Sequence, residues 1–518
     1  MSKALWYFKL FNSIKDSQEV EFAALELESL FGKIRIVRNF SDILDTTAFG
    51  QFKSIRVQDF LAHELPYGEA HGFIGEREPK RILILRLMRR LAYIREIFLV
   101  SSSRLGTDVG IEGKNCQSFQ LGNRYLKRYI TNQFFLEKSQ YISKLSRDEN
   151  EIDRNADALF SFLISKSTRI PASSSLAVGK RLEDYFAIHE EPSLHLTHYI
   201  HPYKGKFHPK LVRALLNYVI SDDEALVLDN FAGSGTLLLE ACWLGLNSVG
   251  TEINPLSTLT SAVKCASLAL DPRILKKTIE VYLKKLEDSE SAHKGFNLEG
   301  GNATIEPGIK TDSEFLVLPK EVANALDPSI IESVLRARQI IGYIASGPVA
   351  DFILVALAGA ISDLARRKGG GLIEVLRGRL NDLYLRVYLF DVMNRVLKIK
   401  LGRSKTYQLD CRNMKKIRTG TVDGIINSPP YSTALDYVRN DLPQLTLLRL
   451  ADLPALESDM IGNPNFKVYP SSLLKEILEE KQPYSKLPEE GRGVIKELVK
   501  GERKKEAIRS YQFFVDMD

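Results

Sequence analysis

A glycine-rich turn between an apolar run and a helical run could hold a small ligand close to the backbone. The apolar residues 225–228 lead to Asp229, the turn spans residues 231–236, and a second short strand, 248–250, leads to Glu252. Strand, glycine turn, helix, strand and acid are the parts of a βαβ half that binds a nucleoside. The glycines let the backbone approach the ligand, and Glu252 can accept hydrogen bonds from two ribose hydroxyls.

The residues around this turn exclude two other kinds of nucleotide site. Leu238 stands where a dinucleotide-binding fingerprint has its third glycine. No Gly-Lys-Ser/Thr ending follows the turn, so it is not a P-loop. These exclusions leave a cofactor that contains a nucleoside. A second stretch of sequence narrows the choice among such cofactors.

That second stretch is Ile426-Asn427-Ser428-Pro429-Pro430-Tyr431, far along the chain. Alone, such a stretch is typical of an ordinary turn. The predicted strand over 423–427 delivers it at its carboxyl end, the edge at which open α/β sheets bind ligands. Another predicted strand, 406–409, ends in Asp410.

Together, the two stretches resemble those of the amino-methyltransferases, which use S-adenosylmethionine to methylate exocyclic nitrogens of bases. The Ser-Pro-Pro-Tyr form is most similar to the DNA cytosine-N4 branch, whereas Asp-Pro-Pro-Tyr and Asn-Pro-Pro-Tyr are commoner in adenine-N6 enzymes. The resemblance covers roughly residues 194–264 and 405–450. It implies an α/β fold with a Rossmann-like class I methyltransferase core, S-adenosyl-L-methionine as cofactor and DNA as substrate.

The chemistry implied by this resemblance assigns roles to residues. An exocyclic amine is a poor nucleophile because its lone pair is delocalised into the ring, and two fixed acceptors, the Ser428 hydroxyl and the Pro429 carbonyl, would draw its N–H bonds out of the ring plane. The prolines aim these acceptors in advance, and Tyr431 would stack on the base. The predicted catalytic residues are Asn427, Ser428, Pro429, Pro430 and Tyr431, and the predicted cofactor-binding residues are Tyr203, Lys206, Asp229, Phe231, Ala232, Gly233, Ser234, Gly235, Thr236, Glu252, Asn254 and Asp410.

Composition sets wide bounds on the rest. The 518 residues suffice for two to four domains, and a net charge of +6 permits a nucleic-acid partner without arguing for one. The four cysteines form no Cys-x-x-Cys pair, and no signal peptide or membrane-spanning segment is predicted, so we expect a cytoplasmic protein without membrane contact. Four histidines within residues 194–219 lack the spacing of a metal site, and no metal is expected.

Residues 1–110 are predicted to form a small N-terminal α/β domain. Strands are expected at Ala4–Phe11 and Ile34–Val37, and helices at Val20–Phe31, with Glu26 on the outer face, and at Arg81–Phe98. This domain resembles the ferredoxin-like N-terminal region of some tRNA guanine methyltransferases. An RNA base therefore stays open as the alternative substrate.

The remaining boundaries follow from breaks in the pattern. Residues 111–190 are predicted to be a connector, in which Gln117–Ser139 is either a helix with core aromatics or a surface that stacks bases. Residues 191–265 and 401–518 would form the methyltransferase core. Residues 266–400 would be a helical insertion, serving either target recognition or a purely structural cap.

The core departs from its family in one respect. Four of the seven expected strands are found, at 225–229, 248–252, 406–409 and 423–427, so the core is predicted to be incomplete at its C-terminal side. A truncated reading frame or a partner chain that completes the sheet would explain this. We expect an exposed apolar sheet edge beside 423–427. A remnant that binds nucleic acid without turnover is the non-enzymatic alternative.

Overall fold

Two β-sheets organise the part of the chain that the structure describes. This computed structural model describes residues 3–14, 16–46, 48–52, 61, 70–101, 116–164, 196–297, 318–366, 370–430, 436–461 and 471–517. Within those ranges an N-terminal sheet has six strands and a second sheet has four.

The N-terminal sheet is antiparallel throughout, with the strand order β2-β3-β1-β4-β6-β5. The first four strands alternate with helices as in a split βαβ unit, the ferredoxin-like arrangement. The elements are β1 Ala4–Leu10, α1 Ser17–Leu30, β2 Arg35–Val37, α2 Phe40–Leu44, β3 Gly72–Arg77, α3 Arg81–Arg90, β4 Ile94–Ser101, β5 Cys116–Leu121 and β6 Arg124–Ile130.

Two predicted helices in this region are wrong. The helix expected over 81–98 ends at Arg90, where Leu91 turns to ψ 129°, and the following residues form β4, which is buried along its whole length. Residues 117–130 are not helical, because Gly122, at φ +55°, and Asn123 make a two-residue turn between β5 and β6. The N-terminal sheet therefore includes residues that the sequence analysis assigned to the connector.

The second sheet is parallel, with the order β10-β7-β8-β9. Its strands are β7 Leu226–Asp229, β8 Asn247–Glu252, β9 Ser404–Gln408 and β10 Gly424–Ile425. The chain runs from β7 to β8 and β9 on one side and returns to β10 on the other side. This reversal opens a crevice at the carboxyl ends of β7 and β10, where doubly wound sheets bind ligands.

The four predicted strands thus exist, but the last one differs from its expected environment. We expected 423–427 to be buried on both faces. The strand β10 is instead two residues long, has one neighbour among the described strands, and leaves Ile425 59% exposed.

Helices surround the second sheet, and the described helices over residues 272–397 fall within the predicted insertion. The helix Gly347–Arg366 is long and apolar enough to cross a membrane, but 56% of its most apolar stretch is buried inside the protein. There it packs with the helices Pro328–Ile344 and Leu372–Leu397. The helices are α4 Asn132–Leu145, α5 Glu149–Ile164, α6 Pro209–Val219, α7 Thr236–Trp243, α8 Pro255–Ala266, α9 Pro272–Asn297, α10 Lys320–Ala325, α11 Pro328–Ile344, α12 Gly347–Arg366, α13 Leu372–Leu397, α14 Tyr437–Asn440, α15 Leu442–Leu447, α16 Leu453–Asp459, α17 Ser471–Leu478, α18 Glu489–Lys500 and α19 Lys504–Met517.

A buried polar contact joins the N-terminal unit to the core through α1 and α6. Glu26 accepts the Ala92 and Tyr93 N–H groups and the Asn217 amide at 2.9–3.1 Å, and Arg90 donates to the same Asn217 side chain at 3.0 Å. The expected outward position of Glu26 is therefore wrong. Burial raises the pKa of Glu26 to about 7, against the lowering effect of these hydrogen bonds.

Candidate functional site

The glycine turn and the Ser-Pro-Pro stretch lie in one cleft at the carboxyl ends of β7 and β10. Two adjoining hollows form this cleft, with about 610 and 470 Å³ of empty space that includes open solvent. Phe231 from the turn and Ser428 from the other stretch line both hollows, as do Tyr203 and Tyr437. The structure therefore brings together the two stretches that the sequence analysis paired.

A direct hydrogen bond connects the two residues that precede the glycine turn and Ser428. The Asn427 Nδ2 group donates to Asn230 Oδ1 at 2.5 Å, and Asn230 stands between β7 and the turn. The carbonyl of Asn230 in turn accepts the Thr251 hydroxyl at 3.0 Å. The side chain of Asn427 thus points toward Asn230, which follows β7, and is half-buried.

The turn needs its glycines for two separate reasons. Gly233 and Gly235 have φ angles of +49° and +75°, in the left-handed region that favours glycine. A Cβ atom on Gly235 would lie 2.2 Å from the Ser261 hydroxyl, and one on Gly233 would lie 3.0 Å from the Tyr203 hydroxyl. The backbone of the turn therefore packs directly against Ser261 and Tyr203 before α7 begins at Thr236.

Glu252 ends β8 and lines the larger hollow. Its carboxylate accepts the Gly233 N–H at 2.8 Å and the Asn254 N–H at 2.9 Å, which fixes its orientation. Burial raises its pKa against these hydrogen bonds. A carboxylate has about four acceptor positions, so Glu252 keeps capacity for the two hydroxyls of a ribose.

Asp229 ends β7, lines the smaller hollow and is almost fully buried. Burial raises its pKa to about 7, the Phe231 N–H bound at 3.1 Å opposes that shift, and the negative charge of Glu252 adds to it. The charge of Glu252 disfavours the ionised form of Asp229, and a positively charged ligand beside this pair of acids would offset that repulsion.

Two of the predicted cofactor-binding residues, Tyr203 and Lys206, line the smaller hollow. The Tyr203 ring lies 5.9 Å from the Tyr437 ring, with the planes 21° apart. Lys206 donates to the His198 carbonyl at 2.8 Å and lies over the Tyr199 ring, and burial lowers its pKa to about 7.

The predicted catalytic residues lie at the rim. Ser428 and Pro429 are exposed, Pro430 is half-buried, and Ser428 lines both hollows. Tyr431 lies outside the described residues. Asp410 and Asn254 line the larger hollow, and the remaining turn residues, Ala232, Ser234 and Thr236, line the smaller one.

Two residues that line the cleft, and a third that contacts a cleft residue, were missed in the sequence analysis. Asn230 lies directly before the turn, Tyr437 stacks on Tyr203, and Asp441 accepts the Asn254 amide at 3.0 Å. Burial raises the pKa of Asp441 to about 7, the Asn254 hydrogen bond opposes this, and the Glu252 charge adds to it. The local signal for Asn230 was its place between Asp229 and the turn, whereas Tyr437 and Asp441 had none.

The histidines that precede the turn are structural where the structure describes them. His198 lies 2.7 Å from Glu240, which also binds Arg213, and all three side chains are buried. Burial lowers the pKa of His201 to about 3. Across the described ranges, no group of three His, Cys, Asp or Glu side chains could hold a metal ion.

Comparison with known proteins agrees with this geometry. A family model described as DNA methylase, of the N6/N4 type, matches residues 91–258, which include the glycine turn and Glu252. Residues 91–258 are thus similar to the N6/N4 DNA methylase family. Amino-methyltransferases of this family have a class I fold and take their methyl group from S-adenosylmethionine. The Ser-Pro-Pro stretch lies beyond the matched residues.

A curated relative shows the same relationship over a shorter length. The Type II methyltransferase M.MjaII of Methanocaldococcus jannaschii is 39% identical over 94 residues. The aligned part covers 18% of this chain and 17% of the relative. The chain is thus similar to about a sixth of that enzyme.

Proposed function

We propose that this chain is an S-adenosylmethionine-dependent methyltransferase that acts on the exocyclic amine of a DNA base, with cytosine N4 as the methylated atom. The observation that carries the proposal is the shared cleft, in which the glycine turn and Ser428 line the same space. The donor would occupy the side of the turn. The base would enter at the exposed Ser428–Pro430 rim.

The residues of the cleft fit such a donor. Gly233 lines the smaller hollow and has no side chain to fill it, and Glu252 has acceptors left for the ribose hydroxyls. We assign the adenine amine to Asp410 and the methionine end to Tyr203, Lys206 and Asp229. When bound, the donor supplies an electrophilic methyl group on a positively charged sulfur.

The chain's own groups prepare the amine. The Ser428 hydroxyl and the Pro429 carbonyl accept its two N–H groups and turn the nitrogen lone pair toward the donor. The Asn230–Asn427 hydrogen bond fixes the Ser-Pro-Pro stretch next to the glycine turn. The amine and the methyl group would therefore meet at near-contact distance. Tyr431 is proposed to stack on the base, which must leave the duplex at a cost of a few kcal/mol.

The biological setting is proposed from the same resemblance. The relative M.MjaII is a Type II methyltransferase. We propose that this chain likewise methylates specific DNA sites in a restriction-modification or phage-defence system, in the reducing cytoplasm.

An RNA base is the second candidate substrate. The observation that favours it is the split βαβ arrangement of the N-terminal sheet, in the region that resembles some tRNA methyltransferases. The unit is fixed to the core through the buried Glu26, Asn217 and Arg90 contacts, so it could present a substrate at a constant position.

A partner that pairs with β10 is also proposed. Ile425 and the neighbouring Tyr218 and Val219 are exposed, with fractions of 59%, 56% and 42%. An unpaired strand edge beside apolar side chains favours association. Sedimentation at several concentrations tests this, and a soluble monomer at every concentration would contradict it.

Methyl transfer tests the main proposal. The full chain is incubated with tritiated S-adenosylmethionine and either duplex DNA or tRNA, and the labelled nucleoside is identified by mass spectrometry. N4-methylcytosine in DNA is expected. N6-methyladenine would correct the target atom, label in tRNA would favour the RNA candidate, and donor binding without transfer to any nucleic acid would support the non-enzymatic remnant.

A further inference from the structure

Arg412 lies just after β9, and its guanidinium contacts three separate segments of the chain. Its Nε group donates to both carboxylate oxygens of Asp410 at 3.0 Å, and Nη2 donates to Asp410 Oδ2 at 2.7 Å. The same Nη2 donates to the Asp459 carbonyl at 2.7 Å, and Nη1 donates to Asp516 Oδ1 at 3.1 Å. One side chain therefore holds the β9 loop, the end of α16 and the last described helix together.

Two of these segments are walls of the larger hollow. Residues 409–411 line it on the β9 side, and residues 459–461 line it after α16. Arg412 hydrogen-bonds to a residue of each wall, Asp410 and Asp459. The position of its guanidinium thus depends on how these two walls stand relative to each other.

The third segment belongs to a helical group with its own core. Helices α17, α18 and α19, residues 471–517, pack through Ile477, Tyr484, Ile495, Ile508 and Tyr511, apart from the cores of the two sheets. The Arg412–Asp516 ion pair joins this group, which we call the C-terminal cap, to the cofactor cleft. Gln512, one turn earlier on α19, also donates to Asp516 at 2.9 Å and holds its carboxylate in place.

The contact is specific in geometry but open to solvent. A guanidinium that grips a carboxylate with two nitrogens is fixed in direction. About a third of the Arg412 and Asp410 side chains is exposed, and 14% of Asp516. Partly exposed ion pairs contribute little to overall stability, so loss of the Arg412–Asp516 pair is not expected to unfold the sheet.

We infer that Arg412 is a positioning residue that couples donor binding to docking of the C-terminal cap. The inference rests on the proposed function, which places the adenosine of the donor between the two walls. A donor bound to Asp410 holds these walls in the geometry in which Arg412 receives Asp516. Because coupling between sites is reciprocal, a docked cap tightens donor binding by the same factor by which the donor favours docking.

The test removes the link to the cap and leaves Asp410 and Arg412 unchanged. Asp516→Asn keeps an oxygen for Gln512 and Arg412 but loses the charge. Glu506→Gln on the same helix is the matched control, because its exposed partner Arg503 lies within the cap. Asp516→Glu restores the charge. Affinity for S-adenosylmethionine is measured by calorimetry, and cleavage of residues 471–517 by a protease is followed with and without donor.

The wild type is expected to show slower cleavage of the cap when the donor is present. In Asp516→Asn this protection should be lost and the Kd for the donor should rise about three- to tenfold, whereas Asp516→Glu should recover both and Glu506→Gln should change neither. A purely structural pair would alter cleavage equally with and without donor. Wild-type affinity and protection in Asp516→Asn would overturn the coupling alone, and a wild type that binds no donor would overturn both the coupling and the proposed function.

Discussion

Asp229→Asn should stabilise the donor-free protein at neutral and alkaline pH. Because the native pKa of Asp229 is raised from 3.8 to about 7, the native state keeps a proton that the unfolded chain releases. This group therefore favours folding fully below about pH 4, and its contribution falls as the pH rises and is lost above about pH 7. Each pKa unit is worth about 1.4 kcal/mol, so the ceiling is about 4 kcal/mol.

The substitution keeps an oxygen for the Phe231 N–H and removes only the titration. Thermal unfolding midpoints are measured without donor from pH 5 to pH 8. The control is Asp382→Asn, which changes an exposed side chain of α13. Half of the ceiling, about 2 kcal/mol, corresponds to a rise of about 2 °C at pH 8 relative to wild type for a chain of 518 residues. The gain should shrink to about two-fifths of that at pH 5, because the unfolded chain has already released its proton there. If the curves of Asp229→Asn and wild type run parallel over this range, the reasoning about the buried acid is refuted.

Three further substitutions test the cleft. Gly235→Ala should lower stability by at least 1–2 kcal/mol, because of its left-handed φ and the clash with Ser261, as denaturant titration would show. Gly233→Trp should abolish donor binding in calorimetry, and measurable binding would contradict the assigned donor side. Tyr431→Ala should keep the donor Kd and lose methyl transfer, and wild-type turnover would remove Tyr431 from the catalytic set.

The core strands could be predicted because their signals are local. The apolar run before Asp229, the glycine turn and the acid at 252 follow one another within 30 residues, and the parallel sheet confirms that these parts lie together.

The N-terminal errors arose where two patterns coincide. The apolar spacing from Ile84 to Ile94 fits a helix, yet β4 begins at Ile94 because the chain there enters the middle of a sheet. In residues 117–130 the Gly122-Asn123 turn was the local signal for a hairpin, and the interleaved aromatics concealed it.

Contacts between distant residues could not be predicted from one sequence. Glu26 is buried by contacts with Ala92 and Asn217, which lie 66 and 191 residues away in the sequence. Asn230 and Asn427, which are hydrogen-bonded, are 197 residues apart. Asp441 reaches Asn254 across 187 residues. The folded sheet brings these groups together, so the helical pattern around Glu26 pointed to the wrong face.

The most direct test of the account is a crystal structure of the full chain with S-adenosylhomocysteine, the product of the donor. The ribose hydroxyls are expected to bind Glu252, and the sulfur is expected to face Ser428 across the cleft. A ligand bound at another surface, or one whose sulfur points away from the Ser428–Pro430 rim, would contradict it.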